Sequence, residues 1–482
     1  MSWSRRRVLT GLGSLPVLGC AGGRAEHRPP TTPDSLTVRV PPVHHGALSG
    51  AARLYVVEDH GVPLVALALA VRAGHRRETP ASRGLASLCA SLLLEGLEGG
   101  DRRALLDRYG ELGTTPQAWA EPDQLVLQCT VHRDDAPDAL RLMLDTLQHP
   151  TFADEAFERV RGEQRESLLA TRGVPVAVAG LGLLLGSLGL DPPVAALADG
   201  TPRSLDALQP DDVRTWWATH GALGDGAFML AGDLDEDQAR SWVDAAMAGR
   251  SHSTAPPVTP LAAPTPEPAA RLVLVVWPGL PQAIVGLGGS RAPWGHRDEP
   301  AQSLADSMMA SIVQFELRSR LRTSYGVLSQ RWSTTAGPVR QLSAKIDPKD
   351  VTLTLQRLQD YLQRLRDEVR PTNEAVDRER RSAMVAMMHG FHGPESALRQ
   401  LIRLAATDLP ASRPRERLEQ LQRLDAATVT AALRTLFDPD QVRMCVVGDA
   451  SVIDRARAAL PAGTRVERTP AQLVDGLHPP ST

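Results

Sequence analysis

Disulfide chemistry is what this sequence is shortest of. Its 482 residues hold four cysteines, at positions 20, 89, 129 and 445, and no pair has zinc-ribbon or thioredoxin-like spacing. Cys89, Cys129 and Cys445 each sit inside an apolar run, the usual setting of a buried free thiol. A Cys89–Cys129 bridge stays open as an alternative in an oxidising compartment. An excess of charge of one sign is also missing: 53 Lys and Arg stand against 56 Asp and Glu, a formal net charge of −3. No basic field draws the chain to nucleic acid, so nucleic acid is not an expected partner. Nothing beyond residue 20 reads as a transmembrane span. Aromatic residues are only 4% of the chain while alanine, leucine and arginine abound. That bias fits a helix-rich fold and decides little about function.

What is present is the mix of a soluble globular protein, 42% hydrophobic and 23% charged. A chain this long exceeds one compact core, and two large domains fit it. The first twenty residues read as an address. Ser4-Arg5-Arg6-Arg7-Val8-Leu9 resembles a twin-arginine export motif, and the apolar run from Val8 to Leu18 is too short to cross a bilayer as a helix. It ends on Val17-Leu18-Gly19-Cys20, which resembles a lipobox whose cysteine is diacylated after cleavage. An ordinary signal followed by a chance cysteine is the alternative. The expectation is a signal peptide over 1–20, a tether over 21–48, and an exported chain facing the periplasm and anchored at Cys20. Lipid alone would then hold it to a membrane, at about 0.8 kcal/mol per buried methylene. The twin-arginine route carries folded proteins, which suits a chain without a disulfide framework.

A second linker, 251–270, carries Pro256, Pro257, Pro260, Pro264, Pro266 and Pro268 and is too proline-rich for a helix or a central strand. It divides the mature chain into halves, 49–250 and 271–470, followed by a loose tail over 471–482. Each half presents elements in the same order. The first opens with apolar runs Ala52 to Glu58 and Val62 to Ala73, expected to pair as a hairpin. Helices follow over about 82–94 and 102–112, a strand over 124–132 and a helix over 135–147. The second half opens with strands over 271–277 and 282–287 and continues with helices near 299–321 and 351–369. The halves close on Phe228-Met229-Leu230-Ala231-Gly232-Asp233 and on Met444-Cys445-Val446-Val447-Gly448-Asp449. This shared ending marks a degenerate internal duplication with strands and helices mixed in each half, an α+β protein.

Several short stretches over residues 50–460 carry a family resemblance through their order and spacing. They are Val71-Arg72-Ala73-Gly74, Arg83-Gly84-Leu85-Ala86, Leu92-Leu93-Leu94-Glu95-Gly96, Leu112-Gly113 with Ala118 and Asp123, Phe157-Glu158-Arg159-Val160-Arg161, and Gly200-Thr201 with Ser204-Leu205. In these the chain resembles the insulinase, pitrilysin and mitochondrial-processing-peptidase family of zinc metallopeptidases. The resemblance implies two homologous domains, each a mainly antiparallel sheet with helices packed on it, closing as a clam-like shell. In that family a helix carries His-x-x-Glu-His directly after the Gly-Leu-Ala element. Residues at i and i+4 share a helix face, so two imidazoles grip one zinc while the glutamate activates a water.

Here that stretch reads Ser87-Leu88-Cys89-Ala90-Ser91, with serine at both histidine positions and Ala90 in place of the general base. Counting on by the family spacing to the third ligand reaches Ser167, with Glu163 and Glu166 nearby. The expectation is a site without catalytic residues or metal, whose helix carries small residues for packing. The other histidines offer no replacement: His132 and His149 lie on separate elements, and His389 and His392 flank glycines where a helix breaks.

In the second half the family supplies an arginine and a tyrosine that hold the substrate. Arg322 matches the first, Ser329 stands at the second, and Tyr325 comes too early. Arg322 is either a substrate-binding residue or an ordinary helix-end ion pair. Gln117 and Ala118 fall where the family has a strand edge that takes up extended peptides by strand addition. The functional expectation is a non-catalytic subunit that binds peptides beside an active metallopeptidase of the family, zinc residing only in that partner. The alternatives are a self-dimer, a stand-alone peptide-binding or envelope scaffold lipoprotein, and an active peptidase with an atypical site.

Overall fold

The segment LVALALAV, residues 64–71, contains no polar side chain and is buried on both faces beyond its first residue. Such a strand needs a sheet covered above and below, and this requirement governs the architecture. The computed structural model describes residues 38–48, 52–79, 81–188, 198–250, 253–256, 271–334, 337–368, 370–460 and 465–474. The stretch expected to be a signal peptide with Cys20, the expected tether up to residue 37, the linker stretch 257–270 and the expected tail from 475 lie outside the described residues.

The first half begins β1 (His44–Ala47), β2 (Arg53–Glu58), β3 (Leu64–Val71), α1 (Leu85–Leu92), α2 (Arg102–Glu111), β4 (Gln117–Ala120) and β5 (Leu125–His132). It continues α3 (Ala136–Gln148), α4 (Asp154–Thr171), α5 (Pro175–Leu188), α6 (Pro202–Ala207), α7 (Pro210–His220), β6 (Ala227–Gly232) and α8 (Glu236–Met247). The second half begins β7 (Leu272–Val276), β8 (Ala283–Ser290), α9 (Glu299–Gln314), β9 (Val327–Thr334), β10 (Gly337–Ile346), α10 (Val351–Asp367) and α11 (Asn373–His389). It closes with α12 (Pro394–Thr407), α13 (Arg413–Arg423), α14 (Ala426–Leu436), β11 (Arg443–Gly448), α15 (Ala450–Ala459), β12 (Arg465–Arg468) and α16 (Pro470–Val474).

The strands form two six-stranded mixed sheets, ordered β1-β2-β6-β3-β5-β4 and β12-β7-β11-β8-β10-β9. The duplication read from the Gly-Asp endings is therefore a duplication of sheet order. In both, the closing strand lies parallel to the opening one, Leu54 opposite Phe228 and Val273 opposite Cys445. Only the outermost strand differs, for β1 precedes its sheet and runs antiparallel while β12 follows and runs parallel. The hairpin expected of β2 and β3 does not form, because β6 inserts between them. The link over residues 59–63 steps across that gap, about two strand spacings of 4.8 Å. Two further boundaries differ from the sequence reading: β1 lies within the stretch taken as tether, and Leu473 and Val474 of α16 are buried where a loose tail was expected.

Each half lends a helix to the other. Helix α5, apolar on every side, packs against β7, β8, β10 and β11 of the second sheet. Helix α12 packs against β2, β3 and β6 of the first, burying Ala397, Leu398, Leu401, Ile402 and Ala405 on Tyr55, Ala66, Ala68 and Met229. An all-round apolar helix belongs inside a protein or a membrane. Among the described residues no single helix is long and apolar enough to cross a membrane. The exchange covers both faces of each sheet, and residues 38–482 form one compact unit. Cys89, Cys129 and Cys445 are buried free thiols, so no Cys89–Cys129 bridge forms.

Candidate functional site

Helix α1 starts on Gly84, which has no side chain to cap the first turn. The cap comes from Glu78, whose Oε1 accepts the Ala86 N–H at 2.8 Å. Burial pushes the Glu78 carboxyl up to about 8, against the lowering effect of the backbone donors. Two of the family-like stretches meet at this point. Gly84 and Gly200 both have positive φ, 90° and 80°, and a Cβ on either would stand 2.6 Å from a backbone oxygen, of Asp199 and Arg83 respectively. Only glycine tolerates both the conformation and the approach. Gln164 of α4 ties the junction, donating to the carbonyls of Gly84 at 3.1 Å and Asp199 at 2.9 Å. Ser204 donates to the Arg83 carbonyl at 2.9 Å.

This junction opens a cleft of about 380 Å³ between α1, α4 and β4. Ser87 and Ser91, one helical turn apart, face it from α1, Ser167 and Glu163 from α4, and Ala118 from β4. Four of the positions singled out in the sequence are thus brought together across three elements. Ala90 points the other way, only 1% exposed in the first-half core. Gln117 lies one residue along β4, on the opposite face, where its Oε1 accepts from Gln128 at 2.7 Å. Among the described residues no further strand pairs with the outer side of β4. Glu95, Arg102 and Asp199 complete the polar lining; sequence reading did not single them out as site residues, although Asp199 adjoins the Gly200-Thr201 stretch.

The donor set does not fit zinc. Ser87 already spends its hydroxyl on the Ala198 carbonyl at 3.0 Å, and a neutral serine oxygen is a weaker zinc ligand than imidazole, thiolate or carboxylate. Glu95 and Glu163 both pair with Arg159, the latter at 2.8 Å. Burial raises the Glu95 carboxyl, and the Arg159 and Arg102 guanidiniums oppose that rise. Among the described residues no group of three or more His, Cys, Asp or Glu side chains is placed to hold a metal. His389 ends α11 and His392 lies in the break before α12, both exposed. No hydrolytic step follows from these residues; hydroxyls, paired carboxylates and a free strand edge are suited to binding.

Arg322 does not line this cleft. It follows a π-helical segment, Phe315–Arg320, that extends α9, and it adopts a left-handed backbone with φ 58°. The wide turn is closed by the Thr323 N–H donating to the Leu317 carbonyl at 2.9 Å. The side chain is exposed and takes part in no ion pair among the described residues, so the helix-end pair is not what holds it.

The model of the insulinase family (peptidase family M16) matches residues 53–172, and that of the peptidase M16 inactive domain matches residues 207–383. The first match lies within the first half, the second runs from the end of the first half into the second, and the chain belongs to the insulinase family. A segment of 183 residues is 28% identical to the non-peptidase homolog YmxG of Helicobacter pylori, covering 38% of this chain and 42% of that protein. A segment of 166 residues is 25% identical to human mitochondrial-processing peptidase subunit beta, covering 33% and 34%. The matches span less than half the length of either relative. Among solved structures, a peptidase M16 inactive domain from Pseudomonas fluorescens aligns with TM-score 0.75 at 22% identity, covering 85% of this chain and 98% of that one. A protease from Helicobacter pylori aligns equally well, TM-score 0.75 at 13% identity, over 85% and 100%. At such identities these two establish the fold.

Proposed function

We propose that the chain is a non-catalytic, peptide-binding member of its family that works beside an active metallopeptidase subunit. The observation that carries this reading is the cleft itself. α1, α4 and the β4 edge surround it, while the positions that the family resemblance assigns to zinc and to the general base carry serine or alanine. An unpaired edge binds extended peptide through main-chain hydrogen bonds that need neither metal nor base. Arg322, exposed and unpaired, is available to a peptide carbonyl or carboxylate. Two relatives lend support by name, one a non-peptidase homolog and the other a subunit. Zinc in this reading belongs to the partner.

Calorimetry with a blocked, extended peptide tests it. A saturable heat is expected from the plain peptide and none from the same peptide N-methylated at every residue, which has no N–H left on either edge to pair with β4. Equal heats from both would remove strand addition, and no heat from either would remove peptide binding. Elemental mass spectrometry of the same sample is expected to find zinc far below stoichiometry; a full complement would overturn the non-catalytic reading.

The leader and lipobox support an exported chain anchored in the cell envelope through Cys20. In a bacterial host, Cys20→Ala is expected to move the protein from the membrane to the soluble fraction; unchanged membrane retention would count against the anchor.

A further inference from the structure

Outside the cleft, the densest gathering of charge lies where α12 meets the second half. Six arginines, Arg291, Arg331, Arg340, Arg403, Arg413 and Arg417, surround two buried carboxylates, Glu299 and Asp306. Both carboxylates are already engaged. Arg291 holds Asp306 with contacts of 2.8, 2.9 and 3.1 Å, and Arg417 grips Glu299 at 2.8 and 3.0 Å. The remaining guanidiniums are poorly served. Arg331 approaches Glu299 only to 4.0 Å. Arg340 lies directly opposite Arg331 in the β9–β10 register, and its buried Nε has no hydrogen-bond partner. Arg413 is 3% exposed with Nε and Nη2 both unpartnered, its nearest carboxylate being Glu416 at 3.8 Å. Arg403 stacks 4.1 Å over the Trp294 ring and is pushed down to about 9 by burial and then by Arg331.

Arg331 keeps 34% of its side chain exposed, but the Arg340 Nε, Arg403 and Arg413 are largely withdrawn from water, and like charges this close are costly unless something opposes them. A cavity of about 40 Å³ lies among Arg291, Arg331 and Arg340, with Gln302 and Ser303 adding an amide and a hydroxyl; Glu299 and Asp306 line it as well, their charges already held by Arg417 and Arg291. One water needs about 10–15 Å³, so the space admits a small ion and excludes a nucleotide. We propose that this cavity binds a small monovalent anion, a halide or a single carboxylate group, between Arg331 and Arg340. The anion neutralises the surplus guanidiniums and ties α9, which carries Gln302 and Ser303, to the strands β9 and β10. The site stands apart from the peptide cleft and does not depend on how that cleft is read.

The test is thermal unfolding of the full chain in sodium chloride, sodium bromide, sodium acetate and the bulky sodium isethionate at matched ionic strength. A saturable rise in Tm is expected with the small anions and absent with isethionate; response to acetate as well as halide would identify a carboxylate as a fitting occupant. Arg340→Gln is expected to abolish the saturable rise while keeping Tm in isethionate at or above that of the native chain, since one of two facing cations is gone. A merely structural arginine would instead lower Tm in every salt. Bromide-soaked crystals of the unaltered chain supply a check that needs no variant, with an anomalous peak expected between Arg331 and Arg340. An identical salt response in both proteins, or no bromide there, overturns the proposal.

Discussion

A carboxyl group six residues ahead of Gly84 sets the first turn of the helix that faces the cleft. Glu78 is buried with its oxygen on the Ala86 N–H, and its titration is displaced upward to about 8. Between the ordinary carboxylate range and that value the folded chain keeps a proton that the unfolded chain has released. Stability from this group is therefore greatest at acidic pH and falls as pH rises through the window, by at most about 1.4 kcal/mol per pH unit. Glu78→Gln keeps an oxygen for the Ala86 N–H and has no proton to lose. Urea unfolding is expected to show the variant close to the native chain near pH 5 and more stable near pH 8. An equal loss at both values would mean that the carboxyl contributes shape alone. Ser87, Ala90 and Ser91 were picked out in the sequence through the family resemblance, and helical spacing puts Ser87 and Ser91 on one face. Glu78 was not, since nothing local announces that an acid well before a helix will fold back onto its first turn.

Among the elements, α5 shows how tightly the exchange is fitted. A Cβ at Gly182 would stand 2.5 Å from the Cys445 sulfur and 3.3 Å from Val273, both on the second sheet. Gly182→Val is expected to destabilise the protein by about 1–3 kcal/mol through overpacking, read as a lower urea midpoint. Gly162 of α4, with nothing within 4 Å of an added Cβ, is the control. There Gly162→Ala is expected to be neutral or to stabilise by about 0.5–1 kcal/mol. A midpoint unmoved by Gly182→Val would show that α5 sits loosely on its sheet. The sequence reading did not place α5, and nothing in its composition could have told which sheet it covers, because periodicity describes faces and not partners. The β2–β3 pairing failed for a similar reason, the strand that intervenes arriving only at Ala227.

At the scale of the whole molecule, the two halves were visible from their matching Gly-Asp endings, and the α+β class from mixed elements in each. Even those endings are used differently. Asp449 caps α15 by accepting the Val452 N–H at 2.9 Å, whereas Asp233 pairs with His60 and Arg133 and leaves the cap of α8 to Asp235. Copies of one plan have diverged at single residues while their strand order stayed fixed. The crossing of α5 and α12 also imposes a timetable. On the ribosome the strands of the first sheet emerge complete by Gly232, yet the helix that closes one of their faces ends at Thr407. Domains commonly fold in turn as they are synthesised, but here the earlier half waits for the later one, with an open apolar face that invites chaperones in the interval. An exporter that accepts only finished proteins would have to wait until most of the message had been read.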